Sequence, residues 1–515
     1  MSRPPYAEHD MVDAVVIGTG AGGAPLAARL AKAGLSVVAL EAGRAFRPDE
    51  HVADEVAANI YWMEERLSGG ADPTAFGSNN SGMGVGGSTL HWGAFCPRPD
   101  PRDLQLRTMT GQGADWPVPH AELIAYIEEV EAFTGVSGPA HYPWDDSRRY
   151  AYPPVARNAS ADAMARGCAA LGITATDAPA ALVSRDRDQP YWGQRQACVN
   201  CGTCHQGCRN ASKTSMDTSY LPYAVAHGAE IRAGCRVLSF ERDYQGRIDA
   251  VVYRRDGEDR RQRCRAVFLC AGGVETPRLL LNLGLANSSG QVGRNFMAHV
   301  ATQVWGRFDA EMRMNRGYPS SIITEDMMRP GDADFAGGYL IQSLGVLPVN
   351  LATGLARGAG MWGDRLQDML RHYNRMAGIG INGDCLPHPD NRLTLSDETD
   401  AFGQRKARID FSYQANERAI DAHSRRTMTA IWDAAGASDI FAVDRSAHTI
   451  GTCRMGDDGD EAVVDANGRS FDIPNLLICD NSIFPSALAA NPALTIMALS
   501  LRTADRFLAS SRGQA

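Results

Sequence analysis

Lysine is almost absent from this 515-residue chain: Lys32, Lys213 and Lys406 are the only three, so 48 of the 51 basic residues are arginine. No lysine-rich run exists to hold a membrane surface or a nucleic acid, and the arginine excess reads as a genomic composition bias. Acids outnumber bases 60 to 51, a net charge of −9, which favours solubility and gives no nucleic-acid surface. An apolar leader is lacking too. Residues 1–13, MSRPPYAEHDMVD, carry neither an apolar core nor a twin arginine, so the cytoplasm is the default expectation. A long hydrophobic run is also missing. The one extended uncharged window, residues 481–501, is broken by Pro485, Asn491 and Pro492, and no membrane span is expected there. Internal repeats and low-complexity tracts are absent. Twelve cysteines without a leader argue against a disulfide scaffold.

What is present begins with residues 12–44. The apolar run Ala14-Val15-Val16-Ile17 reads as a buried parallel strand, followed by Gly18, Gly20, Gly22 and Gly23. A helical pattern through Leu26, Leu30 and Ala33 leads to a second strand, Val37-Val38-Ala39-Leu40, ending on Glu41. This strand–turn–helix–strand context gives a Gly-x-Gly motif its meaning. Gly18 permits the tight turn, Gly20 lets the backbone approach a pyrophosphate at the helix N-terminus, and Glu41 accepts from a ribose diol. The spacing G-x-G-x-G-G leaves Gly22 or Gly23 as the third glycine.

A chain of this length holds two or more domains. Residues 53–67 read as a helix, as do 121–133, 160–172 and 415–436; 139–158 form a Pro- and Tyr-rich connection. A second glycine-rich loop, Ser81-Gly-Met-Gly-Val-Gly86-Gly87-Ser88-Thr-Leu-His91-Trp92, offers backbone to lie against a flat ring. Strands are expected at 231–240, 248–254 and 266–270. The last runs into the turn Ala271-Gly272-Gly-Val-Glu275-Thr-Pro, returning the chain to the nucleotide sheet. Residues 301–412 alternate strands with irregular segments, including Arg392-Leu-Thr-Leu and Ala407-Arg-Ile-Asp-Phe, and read as a separate antiparallel sheet.

Five of these places, in order, resemble the glucose–methanol–choline (GMC) oxidoreductase family: the first glycine motif ending at Glu41; the loop through His91-Trp92; residues 271–277 with Leu279 and Leu280; Val292-Gly-Arg-Asn-Phe-Met-Ala-His299; and His448 with Asn491, Asp480 lying between them. The resemblance covers nearly the whole chain. It implies an α/β fold: a doubly wound, Rossmann-like FAD-binding domain (1–105, 209–300, 445–515) beside a smaller α+β domain with an antiparallel substrate sheet (106–208, 301–444). It implies FAD, held by Gly18, Gly20, Gly22, Gly23, Glu41, Gly86, Gly87, Ser88, His91, Trp92, Ala271, Gly272 and Asp480. It places His448 and Asn491 at the reactive flavin edge. Oxidising an alcohol moves a hydride to flavin N5 and a proton to a base. A neutral imidazole takes that proton near pH 7, whereas an amide orients the oxygen without serving as base. His448 is therefore the expected base and Asn491 the positioning residue. His91 has two readings: covalent attachment of the flavin, as in some family members, or packing against its ring.

Cys198-x2-Cys201-x2-Cys204-x3-Cys208 has the ligand spacing of bacterial ferredoxins, although Arg209 stands where proline usually follows. A subgroup of the family's sugar dehydrogenases holds a [3Fe–4S] cluster between FAD and a cytochrome, and Cys198, Cys204 and Cys208 resemble its ligands. A [4Fe–4S] cluster, a zinc site and a metal-free thiol-rich loop are the alternatives. The leading expectation is an FAD-dependent alcohol or sugar dehydrogenase, with a small subunit and a cytochrome as partners and electrons leaving through a cluster. Export to the periplasm with such a partner is the alternative to the cytoplasm. An oxidase using oxygen, a flavin-containing lyase and a non-enzymatic flavin scaffold are the other classes. The substrate is not readable: Trp305 and Tyr318 are offered as sugar-stacking rings, and the arginine-rich composition hides any carboxylate-binding arginine.

Overall fold

Continuous apolar runs become the centre of a parallel sheet because both of its faces are covered. In the computed structural model, which describes residues 6–61, 66–74, 81–331 and 333–512, five strands pair in parallel. Their order is Glu230–Arg232, Val37–Leu40, Val12–Ile17, Glu258–Leu269 and Leu476–Ile478. Ile17 is level with both Leu40 and Leu269, and Leu269 with Ile478. The carboxyl ends of the four central strands therefore open side by side, where open α/β sheets bind their ligands. The helices Gly23–Lys32, His120–Thr134, Tyr220–Ala226 and Ala493–Arg512 pack around this sheet.

Glu258–Leu269 is longer than its apolar run foretold. Its first half leaves the parallel sheet and pairs antiparallel with Ile248–Arg255, which pairs in turn with Arg236–Arg242. The stretch 231–240, expected as one strand, is two, split around Gly234 at φ +68°. These two strands end the pairing path at opposite edges, yet only residues 233–235 join them. Four Cα steps reach about 15 Å, whereas five flat strand spacings need about 24 Å, so the path curls back on itself.

The second sheet is antiparallel, ordered Ser438–Val443, Gln303–Arg307, Met376–Gly383, Tyr339–Leu344, Ile322–Thr324 and Thr176–Asp177; Met297–Val300 and Ser446–Ile450 attach to it. The helices Ala159–Ala170 and Ala415–Ala434 cover one face through Met164, Ile420, Met428 and Trp432. Three expectations are corrected. Residues 57–61 form a single 3-10 turn and Arg66–Gly69 a strand where a helix over 53–67 was expected; residues 62–65 lie outside the described part. Arg392–Thr399 and Arg405–Asp410 do not join the substrate sheet but form their own three-stranded sheet with Arg66–Gly69. Two helices absent from the sequence reading, Pro348–Gly358 and Gly363–Arg371, interrupt the 301–412 segment. Among the described residues no helix is long and apolar enough to cross a membrane.

Candidate active site

The strand ends and the antiparallel sheet enclose one cavity of about 780 Å³. Gly18, Gly20, Gly22, Glu41, Gly87, Ser88, His91, Trp92, Ala271, Gly272, Asp480, His448 and Asn491 all line it. Gly23 and Gly86 stand just behind. A Cβ on Gly22 would meet Cys479 O at 2.0 Å, and one on Gly23 would meet Gly18 O at 1.9 Å, so both positions serve as the close-packing third glycine. The helix Gly23–Lys32 has no side-chain cap; Ala24 N is bonded to Gly20 O (3.0 Å) and Pro25 has no N–H, so the helix start meets the cavity through the backbone of Gly20, Ala21 and Gly22.

Glu41 is buried, and burial raises its pKa against four hydrogen bonds that hold the carboxylate charged. Oε2 accepts from Thr19 N (3.1 Å) and Thr19 Oγ1 (2.8 Å); Oε1 accepts from Gly43 N (3.0 Å) and Gly84 N (3.2 Å). Thr19 Oγ1 in turn accepts from Gly86 N at 3.2 Å. Glu41 thus fastens both glycine loops to each other. Asp480 does the same on the far side. Its Oδ2 accepts from Gly272 N (2.8 Å) and Thr276 Oγ1 (2.6 Å), and its Oδ1 accepts from Ser482 N (2.8 Å). The neighbouring Asn481 bridges Gly273 N and Thr449 O, which ties the second glycine turn to the strand that carries His448.

His448 sits on a β-bulge. The pairs Met297↔Ile450 and His299↔Ala447 leave His448 and Thr449 opposite Ala298 alone, and His448 has φ +62°. Bulges of this kind re-aim a side chain next to a site. Its Nδ1 lies 2.9 Å from Nδ1 of His299, whose Nε2 lies 3.1 Å from Ala487 O. A carbonyl can only accept, so His299 Nε2 carries the hydrogen and its Nδ1 is the acceptor. Burial pushes His299 down to about 4, and burial together with the two neighbouring cations-to-be, His299 and Arg445, holds His448 well below the ordinary histidine value. Both rings are therefore neutral near pH 7. The hydrogen of His448 is on Nδ1, and Nε2 is its acceptor nitrogen, faced by Asn491 Nδ2 at 3.4 Å. Asn491 is turned this way because its Oδ1 accepts from Asn382 Nδ2 at 2.9 Å.

The second glycine loop is braced from behind. Trp92 Nε1 donates to Thr214 O at 2.8 Å, and His91 O meets His205 Nδ1 at 3.0 Å. Burial holds the His91 ring neutral, with Nε2 against Gly82. One of the three lysines is here: buried Lys213 spends all three donors on Leu90 O (2.9 Å), Trp92 O (3.1 Å) and Cys204 O (2.7 Å) and is pushed down to about 8.

Against these geometries the chain can be compared with known proteins. The N-terminal GMC oxidoreductase model matches residues 75–301 and the C-terminal one residues 387–500. The chain belongs to the GMC oxidoreductase family. It is 29% identical to 2-methyl-1,2-propanediol dehydrogenase of Mycolicibacterium austroafricanum, over 96% of this chain and 95% of that one. It is 29% identical to the fructose dehydrogenase large subunit of Gluconobacter japonicus (96% and 97%), and 27% to paromamine 6'-oxidase of Streptomyces fradiae (96% and 90%). Pyridoxine 4-oxidase from Mesorbium loti shares the fold, with a TM-score of 0.65 at 18% identity, over 97% and 99% of the chains. The protein is thus an FAD-dependent oxidoreductase of the GMC fold, with dehydrogenases and oxidases of alcohols and sugars among its relatives. The residues fit the cofactor. Gly20 and Gly87 lie against each other where side chains would fill the cradle, and an uncapped helix start faces the same space.

Cys198, Cys201, Cys204 and Cys208 lie close together. All four line one small cavity of about 10 Å³ beside Tyr318, room for about one water. Among the described residues no three metal-binding side chains converge on a point. Cys201 Sγ meets Thr203 Oγ1 (3.1 Å) and Cys208 Sγ donates to Asn210 Oδ1 (3.2 Å), while burial pushes the Cys198 thiol up to about 11. The ferredoxin-like ligand spacing is present, and buried Lys213 donates to Cys204 O beside it. Of the two rings offered for stacking, Trp305 lines the large cavity and Tyr318 does not. The sequence reading missed Asn382 and Arg445 and took His299, from its family motif, as the next candidate base after His448; no local pattern marks Asn382 or Arg445 among other strand and loop residues.

Proposed function

We propose that this enzyme oxidises an alcohol or sugar hydroxyl to a carbonyl, with His448 Nε2 taking the hydroxyl proton. The bound FAD supplies the two-electron acceptor. One observation carries the reading: the chain of bonds from Ala487 O through His299 assigns the hydrogen of His448 to Nδ1 and makes Nε2 the basic nitrogen on the cavity side. Asn491 Nδ2 lies beside that nitrogen and is placed to hold the substrate oxygen. His299 and Asn382 act through these two groups and are positioning residues. The low proton affinity of His448 keeps it ready as a base across the neutral range.

An external acceptor, reached through a partner subunit, is the primary reading for the electrons; the relative described as a large subunit is what supports it. The oxidases among the relatives support the second reading, an oxidase handing electrons to oxygen, and the cysteine spacing supports a cluster in the first. Anaerobic stopped-flow mixing with an alcohol and sugar panel tests the first step. His448→Ala, with flavin content retained, is expected to slow flavin reduction by about 10²–10⁴-fold. Reduction at the wild-type rate would place the base elsewhere. Turnover with oxygen alone, against turnover with an artificial one-electron acceptor, separates the two fates of the electrons.

A further inference from the structure

The wall of the cavity next to His448 carries a cation that no acid among the described residues neutralises. Arg445 immediately precedes the strand Ser446–Ile450 and lines the cavity. Its Nε is shut off from solvent and makes no hydrogen bond. Burial alone acts on its proton affinity, with no carboxylate offsetting it. Buried arginines elsewhere are provided for. Arg98 donates to Glu131 at 3.0 and 2.6 Å, Arg278 to Asp400 at 2.6 Å, and Arg195, which has no carboxylate, donates to the carbonyls of Ala211, Thr134 and Ser212. Among the described residues Arg445 has neither kind of partner.

The acids of the same cavity wall are already engaged. Glu55 accepts from Val349 N and Asn350 N (2.9 and 2.6 Å), Glu275 pairs with Arg236 and Arg278, and Asp444 turns outward to Arg425. A second orphan faces the cavity: Gln342 Oε1, a buried acceptor without a donor. A half-buried guanidinium whose Nε is shut off from solvent without a counter-charge is costly, and a carboxylate restores it through charge-assisted hydrogen bonds. An amide oxygen can only accept, so its missing partner is a hydroxyl or N–H of the ligand.

We propose that the substrate is a hydroxy acid or sugar acid, its carboxylate held by Arg445 and one hydroxyl presented to His448 Nε2. This deepens the oxidation reading and rests on it for the hydroxyl. The carboxylate subsite itself does not, and the test separates them.

The flavin-loaded protein is titrated with glutarate, which has no hydroxyl to oxidise, while the visible flavin spectrum is followed. Flavin reduction is then measured anaerobically for matched pairs, glycerate against glycerol and gluconate against glucitol. Glutarate is expected to perturb the spectrum, with affinity about 10- to 100-fold weaker in Arg445→Leu and partly restored in Arg445→Lys. The acid-to-neutral ratio of kcat/KM is expected to fall by about the same factor in Arg445→Leu. Glutarate binding lost in Arg445→Leu with no alcohol reducing the flavin upholds the subsite and defeats the oxidation reading. Flavin reduction that favours neutral alcohols, with glutarate without effect on the wild type, overturns the subsite and leaves oxidation standing. Should Arg445→Leu fail to fold, the wild-type titration and Arg445→Lys decide.

Discussion

His299→Phe tests the assignment of the basic nitrogen without touching the groups that face substrate. The phenyl ring keeps the volume but removes the acceptor 2.9 Å from His448 Nδ1. That N–H is then buried and unsatisfied, at a cost of about 1–3 kcal/mol. The ring escapes the cost by rotating or by moving its hydrogen to Nε2, and either removes the lone pair from the cavity side. At 1.4 kcal/mol per tenfold, the expected loss in the anaerobic rate of flavin reduction is about 5- to 150-fold. His299→Asn offers an amide oxygen near the former Nδ1 and is expected to recover most of the rate. The pH profile supplies a readout that a merely structural role would not move. His299 is one of the groups that lower His448, so the acid limb of kcat/KM in His299→Phe shifts up toward the ordinary histidine value of about 6.5. Flavin occupancy and melting temperature control for folding. A His299→Phe protein with full flavin, a wild-type rate and an unmoved acid limb would refute the reasoning.

Glu41→Ala removes the acceptor of four hydrogen bonds joining the glycine loops; FAD binding measured by fluorescence is expected to weaken by about 1–3 kcal/mol, and unaltered affinity would contradict the fastening role. His299 is fully buried and held down to about 4. A histidine depressed in the fold contributes stability that is complete above about pH 6.5 and lost as pH falls toward 4, about 3 kcal/mol for this one group. Urea midpoints should therefore drop between pH 6.5 and 4, and a flat midpoint there would show that the burial is not maintained. Metal analysis of anaerobically purified protein is expected to find three or four irons per chain if Cys198, Cys201, Cys204 and Cys208, which line one small cavity, hold a cluster; substoichiometric iron and zinc would leave the loop 198–208 as a metal-free thiol segment.

The cofactor side of this protein was legible in the sequence, because it is built from local rules. Apolar runs such as Ala14-Val15-Val16-Ile17 specify strands buried on both faces, and the glycines at 18, 22 and 23 stand where a Cβ would strike a neighbouring carbonyl. Each signal lies within a few residues of the turn it makes, so the family order of motifs and the carboxyl-end location of the site were readable before any contact was known. The chemistry on the other side depended on contacts that no local pattern encodes. His299 meets His448 from 149 positions away, and Asn382 turns Asn491 from 109 away. The bulge that aims His448 is a property of strand register, visible only once both strands are paired. The cysteine spacing pointed to a cluster, but spacing limits reach without setting direction, and only the fold shows the four cysteines around one small cavity with Lys213 bonded to Cys204 O. Arg445 was one arginine among 48 in the sequence. Only the fold, by setting it in the cavity wall near His448 with its Nε shut off from solvent and the described acids of that wall already bonded, singled it out.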